Sequence, residues 1–279
     1  MRRRASQLLV VQTKHSGQSI SNFPFKRALI TGASSGIGEE MAHILGRAGI
    51  PMVLVARRGE RLQALAQQYP NVEVLVADLL RDEEVAKVAA RIADTSLPEI
   101  DLVVNNAGFG TSGSMHRIDA DRLANEVKLN VIALTRLTHA AANAMRTRKH
   151  GYILNVSSVA SFQASPGLAV YSATKAYVTS FTEGVAMELR SSGITVTALC
   201  PGLTKTEFQQ NSNTTGATTS MPAFAWTSVS MVAKAGLEGV TKGKVIVVPG
   251  GLYKFLVAFS NSVPRAVSRK ITQLITKRV

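Results

Sequence analysis

The chain has 279 residues, 46% of them hydrophobic, and a formal net charge of +14. That length suits one α/β domain with a large aliphatic core, while a single cysteine, Cys200, excludes an intrachain disulfide and five scattered histidines show no metal-ligand spacing. The charge excess sits at the two ends: residues 1–38 carry six Lys/Arg and residues 239–279 carry eight, neither with an acid, whereas Glu39 to Glu238 is neutral, a pattern of a neutral domain with basic extensions rather than a specific nucleic-acid-binding body.

Residues 1–24 read as a basic, flexible N-terminal extension. Arg2, Arg3 and Arg4 are followed by a short apolar patch from Leu8 to Val11 and a Ser/Gln-rich stretch. The patch is too short to span a bilayer or to form a signal-peptide core. An Arg- and Ser-rich segment without acids fits an organellar transit peptide and also a disordered tail. The tail is the reading adopted, and a cytoplasmic location is the expectation.

Between residues 25 and 250 strands and helices alternate. Arg27–Thr31 is a short strand, Gly32–Gly38 a Gly/Ser turn, and Glu39–Ala48 a helix closed by Gly49. Met52–Ala56 is the second strand and Glu60–Tyr69 the second helix. Val72–Val76 is the third strand, and Asp82–Ala93 a helix with Asp82 placed to N-cap it. Leu102–Asn105, Tyr152–Val156 and Ile194–Leu199 are further strands. Asp119–Met145 reads as one long helix and Val170–Arg190 as another. The strands are continuous apolar runs, which is how strands covered on both faces read. The predicted fold class is therefore α/β: a Rossmann-like doubly wound parallel sheet in a single domain. Leu203–Trp226 is long, polar and aperiodic, which suggests a substrate lid. Phe208, Met221, Phe224 and Trp226 would either line an apolar site there or anchor the loop. Thr227–Glu238 is a helix and Val245–Val248 the last strand.

Residues 251–279 form a second basic extension. Leu252–Phe259 is apolar, and 265–278 places Val267, Ile271, Leu274 and Ile275 on one side of a basic amphipathic helix. Such a helix can rest on an anionic membrane surface or pack on the domain or a second subunit. No apolar run is long enough to span a membrane.

The turn Thr31-Gly32-Ala33-Ser34-Ser35-Gly36-Ile37-Gly38 follows a strand and opens a helix. Small residues there let backbone approach a pyrophosphate, and the helix N-terminus favours its charge. Gly32, Ser34, Ser35, Gly36, Ile37 and Gly38 are thus candidate cofactor-binding residues. The second strand ends in Arg57 and Arg58, where a carboxylate would select NAD. Guanidiniums suit a 2′-phosphate by charge and fork geometry, so NADP(H) is the predicted cofactor. Glu60 is the nearest carboxylate. Tyr171 and Lys175, four residues apart, share a helix face. A phenol ordinarily titrates near pH ~10 and a nearby ammonium favours the phenolate, so the two read as an acid/base pair. Ser158, 13 positions before Tyr171, can hydrogen-bond a substrate oxygen.

Together these residues resemble the short-chain dehydrogenase/reductase family. The matching elements are Thr31–Gly38, Asp78-Leu79 after the third strand, Asn105-Asn106-Ala107-Gly108 after the fourth, Asn130, Ser158, Tyr171 with Lys175, and Pro201-Gly202 followed by Thr204 and Thr206. They run in order over about 25–210. The resemblance implies a proton donor at Tyr171, with Lys175 lowering its pKa and holding the nicotinamide ribose. It implies carbonyl polarisation by Ser158 and a water held by Asn130. Asp78 and Leu79 would meet the adenine. Asn105, Ala107 and Gly108 would wall the cofactor, and Pro201, Gly202, Thr204 and Thr206 its nicotinamide end. Phe208 and Trp226 are candidate substrate-binding residues. The function expected is NADPH-dependent interconversion of a carbonyl and a secondary alcohol on an apolar or lipid-like substrate, in a homodimer or tetramer paired through the helices at 119–145 and 170–190. An NADP(H)-binding scaffold or redox sensor is the alternative.

Overall fold

The computed structural model describes residues 23–212, 222–263 and 267. Seven parallel strands form one sheet in the order β3-β2-β1-β4-β5-β6-β7. They are β1 (Ala28–Thr31), β2 (Met52–Ala56), β3 (Val72–Val76), β4 (Leu102–Asn105), β5 (Gly151–Val156), β6 (Ile194–Leu199) and β7 (Ile246–Val247). The register sets Ile30 between Leu54 and Val104 at the sheet centre.

Side chains alternate across a strand, and the two faces have separate cores. Ile30, Leu54, Val104 and Leu154 face α1 (Gly36–Arg47), α2 (Gly59–Ala66) and the later helix Val229–Thr241. Leu29, Val53, Val103 and Ile153 face α3 (Asp82–Ala93) and the helices Leu134–Arg148 and Ala169–Leu189. Both faces are therefore covered, which is why the strands read as unbroken apolar runs rather than alternating ones. The chain reverses its direction of winding between β1 and β4. The loops leaving their carboxyl ends diverge there and open a crevice.

Two expectations about helices change. Asp82 opens α3 but does not cap it; Arg81 holds the N-cap position without a side-chain bond. The Asp82 carboxylate instead faces Lys128 Nζ at 3.4 Å and Arg136 Nη1 at 3.3 Å. Two cations of a neighbouring helix attract the carboxylate more than one backbone amide. The run 119–145 is not a single regular helix. Asp119 caps α4 (Ala120–Val127) by accepting from the Arg122 amide at 2.9 Å. A wide π-type turn, Lys128–Ala133, follows, and α5 (Leu134–Arg148) continues from it. A hydrophobic period cannot reveal one extra residue per turn.

At the N-terminal edge Phe23 and Phe25 stack at 5.5 Å and both are buried in the first core. Phe23 thus lies within the packed body, although the sequence boundary set it in the extension. Residues 1–22, Met221 and most of the 265–278 helix lie outside the described residues. Beyond α6 (Ala169–Leu189), α7 (Phe208–Asn211) is a single turn, α8 is Val229–Thr241 and α9 is Gly251–Ser262. Tyr253 in α9 is buried, its hydroxyl accepting from Leu203 N at 3.0 Å and donating to Ala225 O at 2.6 Å. It ties α9 to both ends of the 203–226 connection. Tyr253→Phe leaves a half-buried amide and carbonyl without that partner and is expected to cost about 1 kcal/mol, read as a lower denaturation midpoint with unchanged m-value.

Candidate active site

A cleft of about 780 Å³ opens at the crevice between the carboxyl ends of β1 and β4. Its floor is stitched by Thr31, the last residue of β1. The Thr31 hydroxyl accepts from the amides of Asn106 at 3.0 Å and Ala107 at 3.1 Å. Asn106 Nδ2 donates back to the carbonyls of Thr31 at 2.9 Å and Gly32 at 3.2 Å. This closes the two diverging loops on each other so tightly that a Cβ on Gly38 would sit 2.4 Å from Asn106 Nδ2 and 2.6 Å from the Gly32 carbonyl. Gly32 also has φ +66°, a region costly for any side chain. Gly38→Ala is expected to destabilise the phosphate loop, with a lowered melting temperature and weaker nucleotide binding in the same preparation.

Ser35 stands at the α1 N-cap with no side-chain cap bond. The first amides of α1 are therefore available to an anion. Gly32, Ser34, Ser35, Gly36 and Ile37 line the cleft. On the far side of this loop Arg57 and Arg58 reach the cleft from the end of β2, and Asp78 and Leu79 from the end of β3. Asp78 Oδ1 accepts from Leu80 N at 3.1 Å. Arg58 is held by Ser34: its Nε donates to Ser34 Oγ at 3.1 Å and Nη2 to the Ser34 carbonyl at 3.3 Å. Arg61, unassigned from sequence, reaches the same carbonyl at 3.4 Å. It lies three residues after Arg58 on α2, a helix-face spacing that could have revealed it. Glu60 is exposed and absent from the cleft wall.

Asn105 does not wall the cleft. Its Nδ2 donates to Asn155 Oδ1 at 2.9 Å and Thr138 Oγ1 at 3.1 Å, and Asn155 Nδ2 donates to Thr182 Oγ1 at 3.0 Å. This buried polar ladder joins β4, β5, α5 and α6. The cleft-facing asparagine is Asn106, with Ala107, Gly108 and Phe109 beside it.

Ser158, Tyr171 and Lys175 meet in the cleft. Ser158 follows β5, and its Oγ accepts from Ala160 N at 3.1 Å. Ser157 turns the other way, donating to the Lys175 carbonyl at 2.9 Å and meeting Thr179 Oγ1 at 2.7 Å. Lys175 Nζ donates to the Val156 carbonyl at 2.8 Å and lies 5.7 Å from the Tyr171 ring centre. Asn130 sits in the π-type turn, fully inside. Its Oδ1 accepts from Phe109 N at 3.1 Å, and its Nδ2 donates to Phe109 O at 2.8 Å and Thr174 Oγ1 at 3.1 Å. A Cβ on Gly108 would touch both Asn130 Oδ1, at 2.9 Å, and Lys175 Nζ, at 3.6 Å. Asn130 and Lys175 therefore flank the same backbone.

The protonation pattern differs from the expected one. Burial is the largest influence on Tyr171 and pushes its phenol up to about 12, the Ser158 hydrogen bond opposing and the fields of Glu126 and Cys200 adding. Burial likewise pushes Lys175 down to about 8, with Cys200 and Glu126 opposing. Desolvation penalises whichever form is charged, and it is the largest influence on both groups. At neutral pH Tyr171 is a protonated acid. Glu126, fully buried on α4 and missed in the sequence, has its carboxyl raised chiefly by burial. Cys200 is a buried core thiol.

The far wall comes from the connection after β6. Pro201, Gly202, Thr204, Thr206 and Phe208 line the cleft. Thr206 packs on the α1 N-terminus, where a Cβ on Gly36 would meet it at 3.2 Å. Phe208 lies 5.4 Å from the Tyr171 ring. Trp226 is not part of the cleft wall; Lys205 Nζ stands 5.6 Å from its ring. Phe224 is 77% exposed. Tyr253, from the expected extension, does line the cleft. Among the described residues there is no cluster of metal-ligating side chains.

The family model described as short chain dehydrogenase matches residues 26–217. An uncharacterized oxidoreductase of Myxococcus xanthus is 34% identical over 197 residues, 70% of this chain and 78% of that protein. One of Staphylococcus aureus is 33% identical over 183 residues, 65% of this chain and 79% of that protein. A Sphingobium yanoikuyae short-chain dehydrogenase solved in complex with NADPH superposes with TM-score 0.76 at 34% identity, covering 85% of this chain and 92% of that one. A bulky-bulky ketone specific alcohol dehydrogenase from Comamonas testosteroni superposes with TM-score 0.72 at 30% identity, covering 88% and 97%. With the strand order, the stitched phosphate loop and the Ser158, Tyr171 and Lys175 cluster, these matches establish that the chain belongs to the short-chain dehydrogenase/reductase family of oxidoreductases.

Proposed function

We propose that the protein is an NADP(H)-dependent carbonyl reductase acting on an apolar or lipid-like ketone, or the corresponding alcohol dehydrogenase. The observation that carries this reading is the convergence of Ser158, Tyr171 and Lys175 in one cleft with an uncapped helix N-terminus and two guanidiniums. The first α1 amides would take the pyrophosphate, and Arg57, Arg58 and Arg61 a 2′-phosphate. Asp78 and Leu79 would meet the adenine, with Ala107, Gly108 and the Pro201–Thr206 stretch along the nicotinamide half. The bound cofactor supplies hydride to the carbonyl carbon. Ser158 orients the carbonyl oxygen, Tyr171 transfers its proton to that oxygen, and a secondary alcohol forms. Lys175 steadies the phenolate left behind and, with Asn130 across Gly108, leads a proton back to it.

The apolar part of the cleft wall supports the proposed substrate class. Val159, Leu168, Phe208 and Tyr253 are apolar members of the cleft wall, which Asp119, Asp121 and Arg122 also line; the apolar members suit a hydrophobic ketone. Purified protein should oxidise NADPH in preference to NADH with bulky hydrophobic ketones or 3-ketoacyl thioesters. Loss of that preference sinks the cofactor assignment. Turnover confined to small polar ketones sinks the substrate class. A NADP(H)-binding scaffold would bind nucleotide without consuming it.

Lys175 sets a pH expectation. Its ordinary value is 10.5 and the cleft lowers it to about 8, so the cation is present below that pH and lost above it, while Tyr171 stays protonated through the same range. The kcat/KM for reduction, which reports the free protein, is expected to fall above pH 8 and to be flat just below. A profile flat to pH 10 excludes the role given to Lys175. Pairing into a dimer or tetramer would use the exposed Val127, Ile132, Tyr177 and Met187 on the helices around 120–148 and 169–189; light scattering measures it directly. Among the described residues no helix is long and apolar enough to cross a membrane. A peripheral contact of the basic C-terminal residues with anionic lipid, in a cytoplasmic protein, remains part of the proposal.

A further inference from the structure

Glu207 stands between Thr206 and Phe208, on the connection after β6. Its carboxylate is shared by two guanidiniums: Oε2 lies 2.7 Å from Arg58 Nη1 and Oε1 2.6 Å from Arg61 Nη1. Both guanidiniums reach back to Ser34, Arg58 to its hydroxyl and carbonyl and Arg61 to its carbonyl. Two cations and a hydroxyl thus form an anion cradle beside the phosphate loop, and the chain's own carboxylate fills it. The Arg58, Arg61 and Glu207 side chains are 41%, 51% and 34% exposed. Water reaches the pair, so exchanging one anion for another strands no buried charge. One carboxylate facing two guanidiniums also leaves an excess positive charge, which a phosphate with nearly two negative charges would match better.

We infer that Glu207 is an internal competitor for the 2′-phosphate of NADP(H), neutralising Arg58 and Arg61 in the empty cleft and yielding them to the phosphate. The inference rests on the NADP(H) reading above and adds a consequence to it. Phe208 is the next residue, its amide bonded to Thr206 Oγ1 at 3.2 Å and its ring 5.4 Å from that of Tyr171. Release of Glu207 removes the tie between the 204–210 stretch and α2, leaving the stretch held by its own Gln209 bonds and by Thr204 to Thr227. The substrate wall thereby responds to an event at the opposite, adenosine end of the cofactor. A nucleotide lacking the phosphate leaves the Glu207 contact in place.

Calorimetric titration with 2′,5′-ADP and with ADP tests this, because neither ligand has a nicotinamide and both report only the adenosine end. The Glu207→Gln protein is expected to bind 2′,5′-ADP about tenfold more tightly than the parent, as loss of two half-exposed ion pairs predicts, with ADP unchanged. Hydrogen exchange of the 204–210 amides should rise in the parent on adding 2′,5′-ADP and should already be high in Glu207→Gln. Equal or weaker 2′,5′-ADP binding by the variant overturns the competitor role. Exchange in the parent that ignores 2′,5′-ADP overturns the link to Phe208. A parent that binds ADP as tightly as 2′,5′-ADP overturns the NADP(H) reading itself, which keeps the two failures apart.

Discussion

Tyr171→Phe protein is expected to lose about 10²–10⁴ of its kcat while still binding NADPH, the range typical of removing one positioned general acid. The substitution keeps the ring that packs against Phe208 and Lys175 and deletes only the hydroxyl. Fold and nucleotide affinity therefore act as internal controls. A Tyr171→Phe protein that reduces ketones at the parent rate would place the acid elsewhere. Glu126 would then be the first group to test, because burial raises its carboxyl and its field reaches both Tyr171 and Lys175.

The paired substitution Arg58→Ala with Arg61→Ala is expected to reduce the preference for NADPH over NADH by about 10²-fold, almost entirely through the NADPH KM. The effect is no larger because both side chains are half-exposed and solvent screens such contacts. Arg57→Ala should have a smaller effect, since Arg57 lines the cleft while Arg58 and Arg61 form the cradle with Ser34. A uniform loss with both nucleotides would indicate damage to the phosphate loop instead, through the Arg58 bond to Ser34.

Four strands, Met52–Ala56, Val72–Val76, Leu102–Asn105 and Ile194–Leu199, were legible to the residue, as short runs rich in Val, Leu and Ile set between turns and helical patterns, even though the edge strand β3 carries Glu73 and is only half-buried. The strand–turn–helix unit from Ala28 to Arg47 was legible for a local reason too: its elements follow one another directly. Asn105 was misread although the signal was present. Period two puts it on the face of Val103, toward α5, and not in the crevice. Glu207 was beyond reach, since 146 positions separate it from Arg61 and no local pattern announces the contact. Trp226 was chosen for its type, and its ring turns to Lys205.

The π-type turn at Lys128–Ala133 makes this helix a two-part instrument in phase. Each residue of a helix advances about 100° around its axis, so the wide turn sets the angular offset between everything before it and everything after it. Removing Val131 would give a more regular helix by local criteria. It would also swing Leu134, Leu137, Ala141 and Met145 out of the core face they now occupy, or else turn Asn130 away from Phe109. The irregularity therefore resists repair: the core holds one half of the helix, the cleft holds the other, and only a turn of this width satisfies both.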